Sequence, residues 1–251
     1  MNLHLLESES DTIRERWALT PEENAEGLFA IAALQDRTGL SVQPILDMAR
    51  LLLGTDESDG GVSCIWNACD PYTTDAVRGV LGDGTRANCG RTNKDGVNWV
   101  KADEPSRIRQ LALYQTPYAD GGCQDCRFFF ACKGQCPGTS IDGDWRQRTE
   151  HCETLLIVFG QLERQLLRMG LRPISADPAR RVLVEERLLE GYRAGVSQSV
   201  AAALRGRPII GLPDTPHGDQ AHQDTPHGDQ HEDHTDVAAI GCGEEADVAT
   251  A

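Results

Sequence analysis

"CQDCRFFFACKGQC", residues 123–136, sets four cysteines in fourteen positions around three consecutive phenylalanines. Thiols at this density can hold one another as disulfides, one zinc ion, one iron–sulfur cluster, or parts of two clusters. The choice decides the fold, because each option ties different parts of the chain together. It draws on cysteines well outside the stretch.

Composition narrows the options. The chain has 251 residues, 39% of them hydrophobic, with a formal charge of −15. Residues 213–251 contain ten Asp or Glu and no Lys or Arg, which leaves five excess negative charges to everything before them. An acidic tail on a mildly acidic body, with no basic stripe, argues against nucleic acid as a partner. "MNLHLLESES" has no basic start, apolar stretch or small-residue cleavage site of the kind that exports a protein. No segment approaches the roughly 18 apolar residues that a membrane helix requires. The expectation is a soluble cytoplasmic protein, where thiols stay reduced. Nine cysteines there point to metal or cluster ligation rather than disulfides.

Along the chain, "NLHLLES" (2–8) reads as a short strand. Thr20, Pro21 and Glu23 then form a helix start, with Thr20 as N-cap and Glu23 closing a capping box. Gly39 is its terminator. "LSVQPILDMARLLLG" (40–54) reads as an extended segment and a helix ending near Gly54. Strand, helix, extended segment and helix give the rhythm of an α/β layer, so residues 1–54 are expected to be the end of a larger α/β domain. After the polar hinge at 55–63, eight cysteines fall between 64 and 152. Leu155, Val158, Phe159, Leu162 and Leu166 then recur at helical spacing up to Gly170, Asp177-Pro178 caps a second helix, and "SQSVAAALRG" gives a weaker third. These make a helical extension over 153–206. The tail, 213–251, shows no hydrophobic periodicity and is expected to be disordered. It repeats "DTPHGDQ" at 214–220 and 224–230 and holds five of the seven histidines. Without restrained ligands, that tract reads as a solvated acidic tail rather than a metal site.

The cysteine gaps are informative. Cys64 and Cys69 have four residues between them. Fourteen residues separate Cys69 from Gly84, and four more lead to Cys89. Asp83-Gly84 reads as a β-hairpin turn approached by Val77, Val80 and Leu81, which would return Cys89 toward Cys69. Cys123, Cys126, Cys132 and Cys136 follow at C-x2-C-x5-C-x3-C, Cys152 closes the set, and Cys242 stands alone in the tail. Eight cysteines make two full four-ligand sites for zinc or for iron–sulfur clusters. Three details favour iron. "CKGQCP" ends as bacterial ferredoxin runs do, where the last cysteine serves the other cluster. Phe128, Phe129 and Phe130 could form a dry wall, although plain core packing would also account for them. The spacing also lacks the paired C-x2-C knuckles common in zinc ribbons. On this reading Cys123, Cys126, Cys132 and Cys152 hold one 4Fe–4S cluster. Cys136 crosses to a second, with Cys64, Cys69 and Cys89.

C-x14-G-x4-C, then C-x2-C-x5-C-x3-C, then a final cysteine, over residues 69–152, resembles the SPASM domain. That is the auxiliary-cluster module at the C-terminal end of radical SAM enzymes that modify peptides and proteins. The resemblance implies two 4Fe–4S clusters with the same division of ligands, Cys64 being the extra cysteine of two-cluster members. It also implies a peptide or protein substrate. Such enzymes bind S-adenosylmethionine at an N-terminal C-x3-C-x2-C motif, which this sequence does not contain. The expectation is therefore the C-terminal portion of such an enzyme, or a split subunit with a separate core chain as partner, inactive alone.

The expected fold is accordingly α+β: a partial α/β barrel end (1–54), a cysteine-rich domain with a β-hairpin (64–152), C-terminal helices and a disordered tail. Two other functions use the same residues. A ferredoxin-like electron carrier needs the cysteines but no barrel, and a zinc-stabilised interaction module needs them without iron. Asp142, Asp144, Glu150 and His151, between Cys136 and Cys152, read as turn and surface residues rather than proton donors.

Overall fold

Local capping bonds begin the helices that start at Pro21, Pro178 and Val200. The computed structural model describes residues 11–39, 45–56, 79–80, 82–84, 86–87, 108–196 and 198–206. In order the helices are α1 (Asp11–Trp17), α2 (Pro21–Thr38), α3 (Ile45–Leu53), α4 (Ile108–Gln115), α5 (Phe129–Cys132), α6 (Cys152–Arg168), α7 (Pro178–Arg193) and α8 (Val200–Arg205). The α2 start is a capping box: the Glu23 amide donates to Thr20 Oγ1 at 3.2 Å, and the Thr20 amide donates to Glu23 Oε2 at 2.8 Å. Asp177 caps α7 by accepting from the Arg180 amide at 3.1 Å. The α8 start has two caps. Ser199 accepts from Ala202, and Asp56, far away in sequence, accepts from Val200 and Ala201 at 2.9 and 2.7 Å.

Packing is helix on helix. Leu155, Val158, Phe159, Leu162 and Leu166 of α6 are all buried, each worth about 1.5–3 kcal/mol relative to exposure. They meet α2 and α3, whose Ala25, Leu28, Met48, Leu51 and Leu52 belong to the same core. α7 closes the other side through Val184, Leu188 and Tyr192, contacting α4, α5 and α8. Phe128 stacks on Phe159 at 5.4 Å between ring centres, so the aromatic run of the cysteine stretch is keyed into the α6 core.

This architecture corrects the α+β expectation. The described part of residues 1–54 consists of α1, α2 and α3, without a strand. The buried residues of α2 and α3 pack in one core with α6, and among the described residues there is no barrel end. The proposed strand at 2–8 and extended segment at 40–44 lie outside the described residues. The expected β-hairpin is corrected as well. Around Gly82–Gly84 the described pairing is two residues per side, Gly79 with Ala87 and Val80 with Arg86. Val80 stays 70% exposed, so the apolar approach residue covers nothing, and an unsupported pair of this length is marginal. The tail at 213–251 also lies outside the described residues.

Candidate metal centre

The cysteine stretch is held by turns that few residues tolerate. Gly122 packs so tightly that an added Cβ would lie 2.0 Å from the Thr116 carbonyl oxygen. Beyond it, the Cys123 amide donates to Leu113 O at 2.7 Å and ties the first thiol to α4. Cys126 follows in a turn through Asp125, whose φ is +62°. One helical turn, α5, carries Cys132. Lys133, Gly134 and Gln135 then run consecutively at positive φ. Non-glycine residues in that region cost on the order of 1–3 kcal/mol each and persist only where their surroundings hold them.

Arg109 of α4 does the holding. Its side chain is buried and donates to the carbonyls of Gln135 (2.9 Å), Gly134 (3.0 Å), Trp145 (2.6 Å) and Gln147 (2.9 Å). It thereby staples the loop after Cys132 to the segment that leads into Cys152. A backbone bond from Thr149 to Gly134 O at 3.1 Å and a bridge between Ser140 and Thr149 complete the joint. Cys152 is the first residue of α6, where the helix dipole favours a thiolate.

The outcome is one pocket lined by Cys123, Cys126, Cys132 and Cys152. Phe128, Phe129, Leu155, Leu156 and Phe159 make its wall almost wholly apolar, and Gly134, Arg148 and Thr149 also line it. Phe130 is buried in the main core instead. Cys136 is also buried but does not line the pocket. It caps the turn Pro137–Thr139, and its sulfur accepts from the Gly138 amide at 3.3 Å. Cys64, Cys69, Cys89 and Cys242 lie outside the described residues. Asp144 is engaged with Arg146 at 2.8 Å, Glu150 with Arg14 at 3.1 Å, and Asp142 is exposed in a turn; none of these, nor His151, lines the pocket.

Burial raises all four pocket thiols above their ordinary range. Cys123 is pushed up to about 12, first by desolvation and then by its neighbours Cys126 and Cys152. Cys132 rises well above normal for the same reasons, with Cys123, Cys152 and Cys126 adding to it. Cys126 and Cys152 are raised mainly by burial. For Cys152, the Arg148 charge and hydrogen bonding from Tyr118 and Arg148 act in the opposite sense. All four thiols line the same pocket. Among the described residues no group of three or more His, Cys, Asp or Glu forms a ready single-ion site. A donor set of four thiols around a dry cavity fits a cluster, which spreads its ligands over several metal atoms and deprotonates them.

Arg109, Arg148 and Tyr118 were not singled out by the sequence. The available signal for Arg109 was its spacing: it lies four residues before the fully buried Leu113, on the same face of α4. No model of a known family, no curated protein and no solved structure matches this chain. Among the described residues no helix is long and apolar enough to cross a membrane.

Proposed function

We propose that this chain carries the auxiliary 4Fe–4S centres of a radical SAM system of the SPASM type, acting in the cytoplasm on a peptide or protein. S-adenosylmethionine would be bound by a core that this sequence does not include, since the three-cysteine motif is absent from it. The observation that supports this most is the convergence of Cys123, Cys126, Cys132 and Cys152 on one apolar pocket. Those thiols would hold one cluster, and Cys136, Cys64, Cys69 and Cys89 would hold the second. A cluster supplies one-electron chemistry when bound. The chain's own residues exclude water through Phe128, Phe129 and Phe159, and fix the ligand loop through Arg109.

The test is anaerobic reconstitution of single Cys→Ala variants, followed by iron analysis and electron paramagnetic resonance. Cys152→Ala should remove the signal that Cys123→Ala removes, whereas Cys136→Ala should leave it intact and perturb another. A colourless wild-type protein that takes up zinc but no iron and sulfide refutes the reading. A second function gains support from the helical packing of residues 11–53. With no barrel end among the described residues, a free-standing electron carrier of ferredoxin type would use the same pocket. Loaded protein that reduces a one-electron acceptor but shows no affinity for a core enzyme or peptide would favour that carrier.

A further inference from the structure

Among the described residues lining the four-thiol pocket, Arg148 alone carries a charge. Surface arginines are normally hydrated and mobile, but this one is fixed on every side. Its backbone amide donates to Gly121 O at 2.8 Å, and its own carbonyl accepts from Ile141 at 3.0 Å. Nη1 donates to Tyr118 O at 2.7 Å and Gly122 O at 3.3 Å. The guanidinium carbon sits 3.7 Å from the centre of the Tyr118 ring. After all of these contacts Nε–H remains, buried and without a hydrogen-bond partner. Leaving a donor in that state is costly unless something else fills the requirement.

On the reading that the four thiols hold a cluster, we propose that Arg148 sets its reduction potential, with Nε–H donating toward the cluster and Tyr118 holding the guanidinium in place. One-electron reduction adds one negative charge to the cluster. A fixed cation at the wall of a low-dielectric pocket stabilises that reduced form more than the oxidised one. Hydrogen bonds toward the sulfurs act in the same direction, and the planar fork of arginine suits both roles where a lysine ammonium would serve only as a point charge. Arg148 is a positioning and tuning residue here; it breaks no bond.

The experiment uses the full chain, reconstituted anaerobically and titrated with dithionite, following by electron paramagnetic resonance the signal that Cys152→Ala abolishes. Arg148→Met should retain wild-type iron and lower the midpoint by about 59 mV, a tenfold change in the one-electron equilibrium. Arg148→Lys should fall between the two, and Tyr118→Phe, which keeps the ring, should lower it less. An unmoved midpoint in Arg148→Met at wild-type iron content overturns the proposal. If Arg148→Met takes up no iron, wild-type midpoints in both Arg148→Lys and Tyr118→Phe overturn it. A wild-type chain with no Cys152-dependent signal overturns the cluster reading as well, a failure distinct from an intact signal whose midpoint does not move.

Discussion

Replacing Arg109 with methionine removes four charge-assisted hydrogen bonds of 3.0 Å or shorter while keeping most of the side chain's volume. Each such bond contributes about 1.5–3 kcal/mol. Simple addition overstates the loss, because the guanidinium's own desolvation opposes the sum and some freed carbonyls will take water. A net cost of about 3–5 kcal/mol is expected, the range reached when a buried network is broken. That is a large part of the roughly 5–15 kcal/mol of a typical domain. In urea denaturation with a slope of about 2 kcal/mol per molar, the midpoint should fall by about 2 M. Arg109→Lys should recover little, since a point charge cannot reach carbonyls on both sides of the joint. The same variants should load less iron, because Lys133, Gly134 and Gln135 lose what holds them at positive φ. A midpoint shift below about 0.5 M with an unchanged slope would refute the staple.

Gly122→Ala should destabilise by more than about 3 kcal/mol, since the added carbon meets a backbone oxygen that cannot move aside; thermal unfolding near the wild-type temperature would contradict this. Asp56→Ala should cost about 1–2 kcal/mol by uncapping α8, seen as a lower urea midpoint, and an unchanged midpoint would mean that Ser199 caps the helix alone. The metal-free protein should lose stability as pH rises. The Cys123 thiol is raised on folding to about 12, so its contribution is complete below its unfolded pKa and disappears on the way up to the folded one. Between pH 8 and pH 10 the loss from this thiol is about 1.4 kcal/mol, and Cys123→Ala should flatten the dependence in urea titrations at the two pH values.

Helix ends were legible in the sequence because their causes are local. Thr20 and Glu23 bond to each other three residues apart, Asp177 reaches Arg180, and Gly39, Gly54, Gly170 and Gly206 take positive φ just past helix ends. The buried face of α6 was equally plain, since Leu155 through Leu166 repeat at helical spacing. What covers that face was not legible. α2 and α3 could equally have backed a sheet, and only their burial against α6 shows that they do not, because periodicity marks an apolar face without naming its partner. The sequence reading likewise grouped Cys152 with Cys123, Cys126 and Cys132 and set Cys136 apart, but not the apolar pocket those four line or the turn that Cys136 caps. That arrangement depends on Arg109, whose bonds span 24 to 38 residues. Contacts over such separations leave no periodic trace in the sequence, so tertiary structure alone decided what holds the thiols in place.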